Sequence, residues 1–216
     1  VGGFHTGVEY NFEGEKKSRY TAFFGNVVLP RQTRLNVNIF LTPFNRFKNI
    51  DLENLWETRI NINSQFNKSL SFGGGVTRGV NTVTFLDVPV KGSSNSFSLW
   101  TRLKVSNRLQ VGGTYENHRM MTLDKKDEYY SGYLTKMRVN YQYNQALSFR
   151  LLGQYNDFSQ TFQLQPLLSY QPSPFTIFYI GSTSNQITDN LSIGSIQESQ
   201  ISDRQLFIKF QYLFDE

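Results

Sequence analysis

Cysteine is absent from the 216 residues, which excludes disulfides and thiolate metal sites and leaves a chain whose folding cannot depend on oxidation. Histidine occurs only at His5 and His118. No stretch approaches the roughly 20 consecutive apolar residues that a membrane-spanning helix requires, and at 38% hydrophobic content the chain is too polar for a bundle of such helices. Hydropathy alone would class it with soluble proteins. A membrane barrel escapes that test, because it turns its polar half inward. Val1-Gly2-Gly3-Phe4 opens the sequence with no Met, basic n-region or apolar h-region, so the signal peptide an exported protein needs is expected either to have been removed with a longer N-terminal part or to lie outside a fragment.

What the chain does have is aromatic side chains and alternation. Phe (19) and Tyr (12) dominate a 15% aromatic content that is high for a soluble domain. Tyr133, Thr135, Met137, Val139, Tyr141 and Tyr143 share one parity, against Leu134, Lys136, Arg138, Asn140 and Gln142. Leu147, Phe149, Leu151 and Tyr155 oppose Ser148, Arg150, Gln154 and Asn156 in the same way, and Leu206, Ile208, Phe210 and Tyr212 oppose Gln205, Lys209 and Gln211. A period of two puts each set on one side of a pleated strand, and no 3.6-residue pattern competes with it. The fold expected is all-β: an antiparallel up-and-down membrane β-barrel of about 12 strands, with residues 1–216 as one barrel unit.

Strands are predicted at 2–12, 19–28, 32–42, 55–66, 69–78, 96–105, 108–118, 130–143, 146–157, 161–170, 175–183 and 203–214. Most reach the roughly 9–11 residues that cross a bilayer when tilted. Short connections (Leu29–Arg31, Asn67-Lys68, Ser106-Asn107, Asn144-Gln145, Gln171–Pro174) alternate with longer ones (Glu13–Ser18, Pro43–Asn54, Gly79–Asn95, Arg119–Tyr129, Ser184–Ser202). Phe158–Gln160 is short where the alternation asks for a long loop. Tight periplasmic turns and larger outer loops give this asymmetry. Aromatics of the apolar face gather toward both strand ends: Phe66, Tyr141, Tyr143, Tyr170, Phe175, Tyr212 and Phe214 at one, and Phe12, Tyr20, Trp56, Phe97, Tyr115, Tyr133 and Tyr155 at the other. These are read as two interfacial girdles against outer-membrane lipid. A soluble β-sandwich also alternates, but its core is closed by aliphatics, whereas here a polar face runs through nearly every strand. No propeller or solenoid period is present.

From about Leu55 the chain resembles the C-terminal part of a family of Bacteroidota outer-membrane barrels. The resemblance is carried by YLTKMRVNYQY (133–143), LSFRLLGQY (147–155), LQPLLSY (164–170), FTIFY (175–179) and DRQLFIKFQYLF (203–214). That family has a domain of unknown function, often preceded by a family-9-like carbohydrate-binding module. The resemblance implies an upstream module as partner and brings no catalytic residues.

Function must then be sought in the polar faces. They carry nine basic residues (Arg19, Arg34, Arg59, Arg102, Lys104, Lys136, Arg138, Arg150 and Lys209) against three acids (Glu9, Glu57 and Glu116). A lumen so lined focuses its field on anions, unless acids from loops or a plug neutralise it. Nucleic acid is not an expected partner, because the cations alternate inward and form no outer patch with stacking aromatics. A membrane hydrolase would need a hydroxyl within reach of His118 and a third orienting group. No serine stands at a suggestive spacing, so His118 reads as a solvated loop residue and His5 as a lumen-face one. Gly73-Gly74-Gly75 lacks the Lys-Ser/Thr and the helix of a phosphate loop; it reads as strand glycines that allow bending or close packing. Asp124, Asp127 and Glu128, beside Lys125 and Lys126, are too few oxygen ligands for calcium. Residues 184–202 read as a long exposed loop, and the apolar Val83, Phe85, Leu86 and Val88 as an extended hairpin, a fold into the mouth or a subunit contact. No enzyme activity, cofactor or metal is expected. The expectation is a channel, or a membrane anchor and conduit, with an electropositive lumen; the alternative is a non-conducting docking subunit of an outer-membrane complex.

Overall fold

The computed structural model describes the backbone of residues 1–188 and 199–213. Twelve strands follow in order: β1 Gly2–Tyr10, β2 Lys16–Leu29, β3 Thr33–Phe47, β4 Ile50–Gln65, β5 Leu70–Val83, β6 Val90–Lys104, β7 Leu109–Met121, β8 Glu128–Gln142, β9 Leu147–Asn156, β10 Thr161–Ser173, β11 Thr176–Thr188 and β12 Ser199–Tyr212. Each strand pairs with its neighbours in chain order, and the described ladders are antiparallel. The fold is the twelve-stranded, antiparallel up-and-down arrangement that the alternation predicts.

The chain divides into two compact units. The first comprises Val1–Asn67, Phe72–Leu99 and Glu116–Gly132; the second comprises Lys68–Ser71, Trp100–Tyr115 and Tyr133–Glu216. In the first, Arg34, Asn36 and Asn38 of β3 oppose Asn63, Asn61 and Arg59 of β4, while Leu35, Val37 and Leu41 oppose Ile62, Ile60 and Trp56. In the second, Lys136, Asn140 and Gln142 of β8 oppose Gln154, Arg150 and Ser148 of β9, while Thr135, Val139 and Tyr141 oppose Tyr155, Leu151 and Phe149. The same parity continues into β12, where Lys209 faces Tyr179 and Ile208 faces Ile180.

The apolar faces are not covered by protein. Ile60 is 46% exposed, Met137 55% and Ile208 74%. Among the described residues the buried hydrophobics are Ala22, Leu52, Leu55, Val83 and Met120, all in the first unit. A water-soluble sandwich would seal these faces against each other; continuous apolar surface of this extent belongs against an apolar solvent.

Three expectations are corrected. The first concerns the long connections. The supposed Pro43–Asn54 loop is a continuation of β3 and β4 into a two-residue turn at Lys48-Asn49, both with positive φ (49° and 61°), the backbone that matches strand twist in tight hairpins. Pro43 and Asn54 look like strand ends because they interrupt the ladder. The β2–β3 register slips between Arg19 and Thr21, Asn54 takes a φ of 58°, and pairing then resumes with Phe44 opposite Glu53. A bulge is where a strand tolerates a residue without an N–H. Likewise β5 runs to Val83 and β6 starts at Val90, and β7 and β8 leave only 122–127 between them. Residues 184–188 of the predicted loop belong to β11 and Ser199–Ser202 to β12; residues 189–198, and Phe214, lie outside the described residues.

The second correction is the phase of the start of β2. Tyr20 stands opposite Gly7, on the face of His5 and Glu9, while Arg19 stands opposite Val8. Tyr20 therefore leaves the apolar set and Arg19 the polar one. The cause is local: a side chain on Gly7 would lie 2.7 Å from the Tyr20 ring, so the glycine makes the room that ring occupies. His5 completes the arrangement, edge-on to Tyr20 at 5.7 Å.

The third is His118, which lies within β7 rather than in a loop.

Candidate functional site

The cations singled out by alternation divide between the two units. In the first, Arg59 is bound to Glu57, which also accepts a hydrogen bond from the Asn81 amide at 3.0 Å; the guanidinium sits 5.0 Å over the Phe40 ring. Arg34 shares this face opposite Asn63. Beyond them, Arg46 bridges Asp51 at 2.6 Å and Glu15 at 3.4 Å near the β3–β4 turn. Its hydrogen bond holds the Asp51 carboxyl below the ordinary range. Arg119 pairs with Glu128 at 2.6 Å. Asp124 is held low by the Thr122 hydroxyl and then the Lys126 amide, and no metal-binding group of acids or histidines occurs among the described residues.

His118 has partners that chain spacing does not reveal. Its Nδ1 lies 3.0 Å from Ser96 Oγ on β6, and its Nε2 lies 4.0 Å from Glu116 Oε2. The hydroxyl comes from the adjacent strand, so no i-to-j spacing could suggest it. Imidazole and carboxylate are both nearly half exposed, and at 4.0 Å the carboxylate is too far to fix a tautomer by hydrogen bonding.

The second unit is arranged differently. Two concave pockets lie on its polar face. One, of about 330 Å³, is lined by Lys104, Arg108, Gln110, Asn140, Arg150 and neighbours; the other, of about 480 Å³, by Arg102, Gln110, Gly112, Lys136, Arg138 and neighbours. They share Gln110 and Asn140, and neither lining contains a carboxylate. Among the described residues Arg102, Lys104, Lys136, Arg138 and Arg150 take no ion pair. Lys209 shares the face parity but lines neither pocket.

No protein-family model and no curated protein matches the chain. Among solved structures it is similar to a KdgM porin in complex with disordered oligogalacturonate (12% identity, TM-score 0.37, covering 100% of this chain and 99% of that one) and to a KdgM porin alone (12%, 0.38, 100% and 99%). It is also similar to the toluene transporter TbuX of Ralstonia pickettii (10%, 0.41, 99% and 77%).

Apart from Tyr20, the predicted girdle aromatics fall on the apolar parity where their register is described. Trp56 is opposite Leu41 and Tyr141 opposite Phe149. Tyr133 packs between Tyr115 and Tyr155 at 5.7 and 5.6 Å, and Tyr170 stacks on Phe178, which meets Phe210 at 4.9 Å. Phe66 lies under the Arg31 guanidinium at 4.3 Å, Tyr212 is opposite Thr176, and Tyr143 is exposed just past β8. Sequence reasoning placed Arg108 at the start of a strand without counting it among the polar-face cations, and it passed over Gln110, Gly112 and Asn140 as site residues because neutral side chains carry no charge signal.

Proposed function

We propose that the protein is an outer-membrane β-barrel, a channel or the membrane conduit of a larger protein, whose polar wall favours anionic solutes. The observation that carries this reading is the pair of pockets with six cations between them and no carboxylate. Unpaired cations held against a low-dielectric wall keep their field and raise the local concentration of anions. Lipid as the partner of the opposite face follows from the exposed Ile60, Met137 and Ile208 and from the aromatic clusters Tyr115–Tyr133–Tyr155 and Tyr170–Phe178–Phe210. The Bacteroidota-type sequence resemblance supports the anchor role within a longer protein.

Planar-bilayer recordings under a salt gradient test the proposal. An anion-preferring reversal potential is expected, reduced when Arg138 and Arg150 are changed together to Gln. A cation-preferring potential, or one the double substitution leaves unchanged, overturns it. The docking-subunit reading is favoured by one observation: Phe85 and Val88 in the β5–β6 connection are 59% and 62% exposed. A closed trace in every condition would decide for that reading.

A further inference from the structure

The polar wall of the second unit has an internal order that charge counting does not express. The Gln142 amide donates to the Arg108 carbonyl at 2.7 Å and the Val105 amide to the Leu109 carbonyl at 2.9 Å. Counting antiparallel pairs from these anchors puts Gly112 of β7 between Arg102 of β6 and Arg138 of β8. One step along, Gln110 lies between Lys104 and Asn140, and Asn140 in turn pairs with Arg150 of β9. The wall therefore carries two parallel rows: Arg102–Gly112–Arg138, and Lys104–Gln110–Asn140–Arg150. Successive rows on one face are about 7 Å apart, two residues of strand rise.

The first row has two guanidinium groups flanking a floor without a side chain. Their Cα atoms are two strand spacings, about 10 Å, apart. Gly112 has negative φ and a Cβ there would meet only the Thr101 carbonyl, at 3.3 Å, so backbone conformation does not demand glycine. What the glycine provides is depth in the 480 Å³ pocket. The second row flanks two amides with a Lys and an Arg. Each row thus offers two cations, and the second adds amide hydrogen-bond donors. A planar carboxylate matches the fork of guanidinium donors with two parallel hydrogen bonds.

We propose that these two rows form a binding site for an extended solute carrying two carboxylates about 7 Å apart, one seated over Gly112 between Arg102 and Arg138 and the other between Lys104 and Arg150. This rests on the anion-favouring reading above but demands more than it: a wall that merely attracts anions has no preferred charge separation and no need of a glycine. Trp100 lines the same pocket and serves as reporter; Trp56, the other tryptophan, is on the apolar face and is replaced by Phe.

The test titrates the refolded Trp56→Phe chain in lipid nanodiscs with adipate and with its monoamide, equal in length and carrying one charge. Adipate is expected to shift Trp100 fluorescence with an apparent Kd lower by about tenfold or more. Gly112→Val is expected to abolish that advantage while the reversal potential stays anion-preferring, since every cation remains. Adipate binding no better than the monoamide, or a Gly112→Val protein that keeps the difference, overturns the proposal even if the wall proves anion-selective. Loss of anion preference in the unmodified chain overturns the parent reading instead. If Gly112→Val does not fold, Arg102→Gln carries the same comparison, with the adipate advantage lost and monoamide binding weakened less.

Discussion

The two units solve the same folding problem with opposite electrostatic settlements. In the first, Arg46, Arg59 and Arg119 are each tied to a carboxylate, and the buried hydrophobics Leu52, Leu55, Val83 and Met120 lie in the same unit. In the second, cations on β6, β8 and β9 stand without an acid in either pocket, and no buried hydrophobic side chain occurs among the described residues. Paired charges hold a structure in one geometry; unpaired ones in a recess keep their attraction for something else. The difference teaches that a residue's parity tells which face it takes, while its neighbours across the strands tell whether its charge is spent.

The strongest test of what the units share is a charge on the apolar face. Met137→Arg in the second unit and Ile60→Arg in the first should each lower stability by about 2–4 kcal/mol in lipid vesicles, measured by denaturant unfolding. If either substitution were neutral, lipid could not be the solvent of that face. Next in size is Gly181→Val. The Phe207 ring lies over Gly181, and an added side chain meets ring carbons and Leu167 Cδ1 at 3.0 Å. A loss of about 1–3 kcal/mol is expected from overpacking, and Gly181→Val with Phe207→Ala should recover much of it.

Smaller effects separate the units directly. Arg59→Gln, which breaks a partly exposed pair, should cost no more than about 1 kcal/mol and move the reversal potential less than Arg138→Gln does. Equal shifts would erase the contrast. The smallest effect is acid loosening of the β3–β4 turn. Asp51 is depressed below its ordinary 3.8, first by the Arg46 hydrogen bond. A depressed carboxyl adds stability above its unfolded-state value and loses it as pH falls through the lowered folded value. Protection factors of the turn amides, hydrogen exchange corrected for the intrinsic rate at each pH, should therefore fall on acidification below pH 4, and Asp51→Asn should flatten the response.

Much of this architecture is readable in the chain, for a definite reason. A one-residue slip would invert every side chain, so long strict alternation such as Tyr133–Tyr143 leaves a single phase. Where adjacent residues are both apolar, as at Phe23-Phe24, the phase is ambiguous, and alternation alone puts Tyr20 and Arg19 on each other's faces. Pro43 and Asn54 mimic strand ends because local propensity cannot anticipate a bulge that the neighbouring strand accommodates. Pairing is the least legible layer. Ser96 reaches His118 and Glu57 reaches Asn81 across ladders, and the absence of acids near Arg102 and Arg138 is a property of several strands at once. Gly112 is silent for the same reason: its role is the volume it leaves.

The rings seated over glycines have a consequence for how such a sequence can drift. Tyr20 with Gly7 and Phe207 with Gly181 are complementary halves on separate strands, so neither partner can grow or shrink alone without a clash or a void. In related chains these positions should change in step, large answering small, and an independent swap at either one would mark a sheet whose register there had shifted.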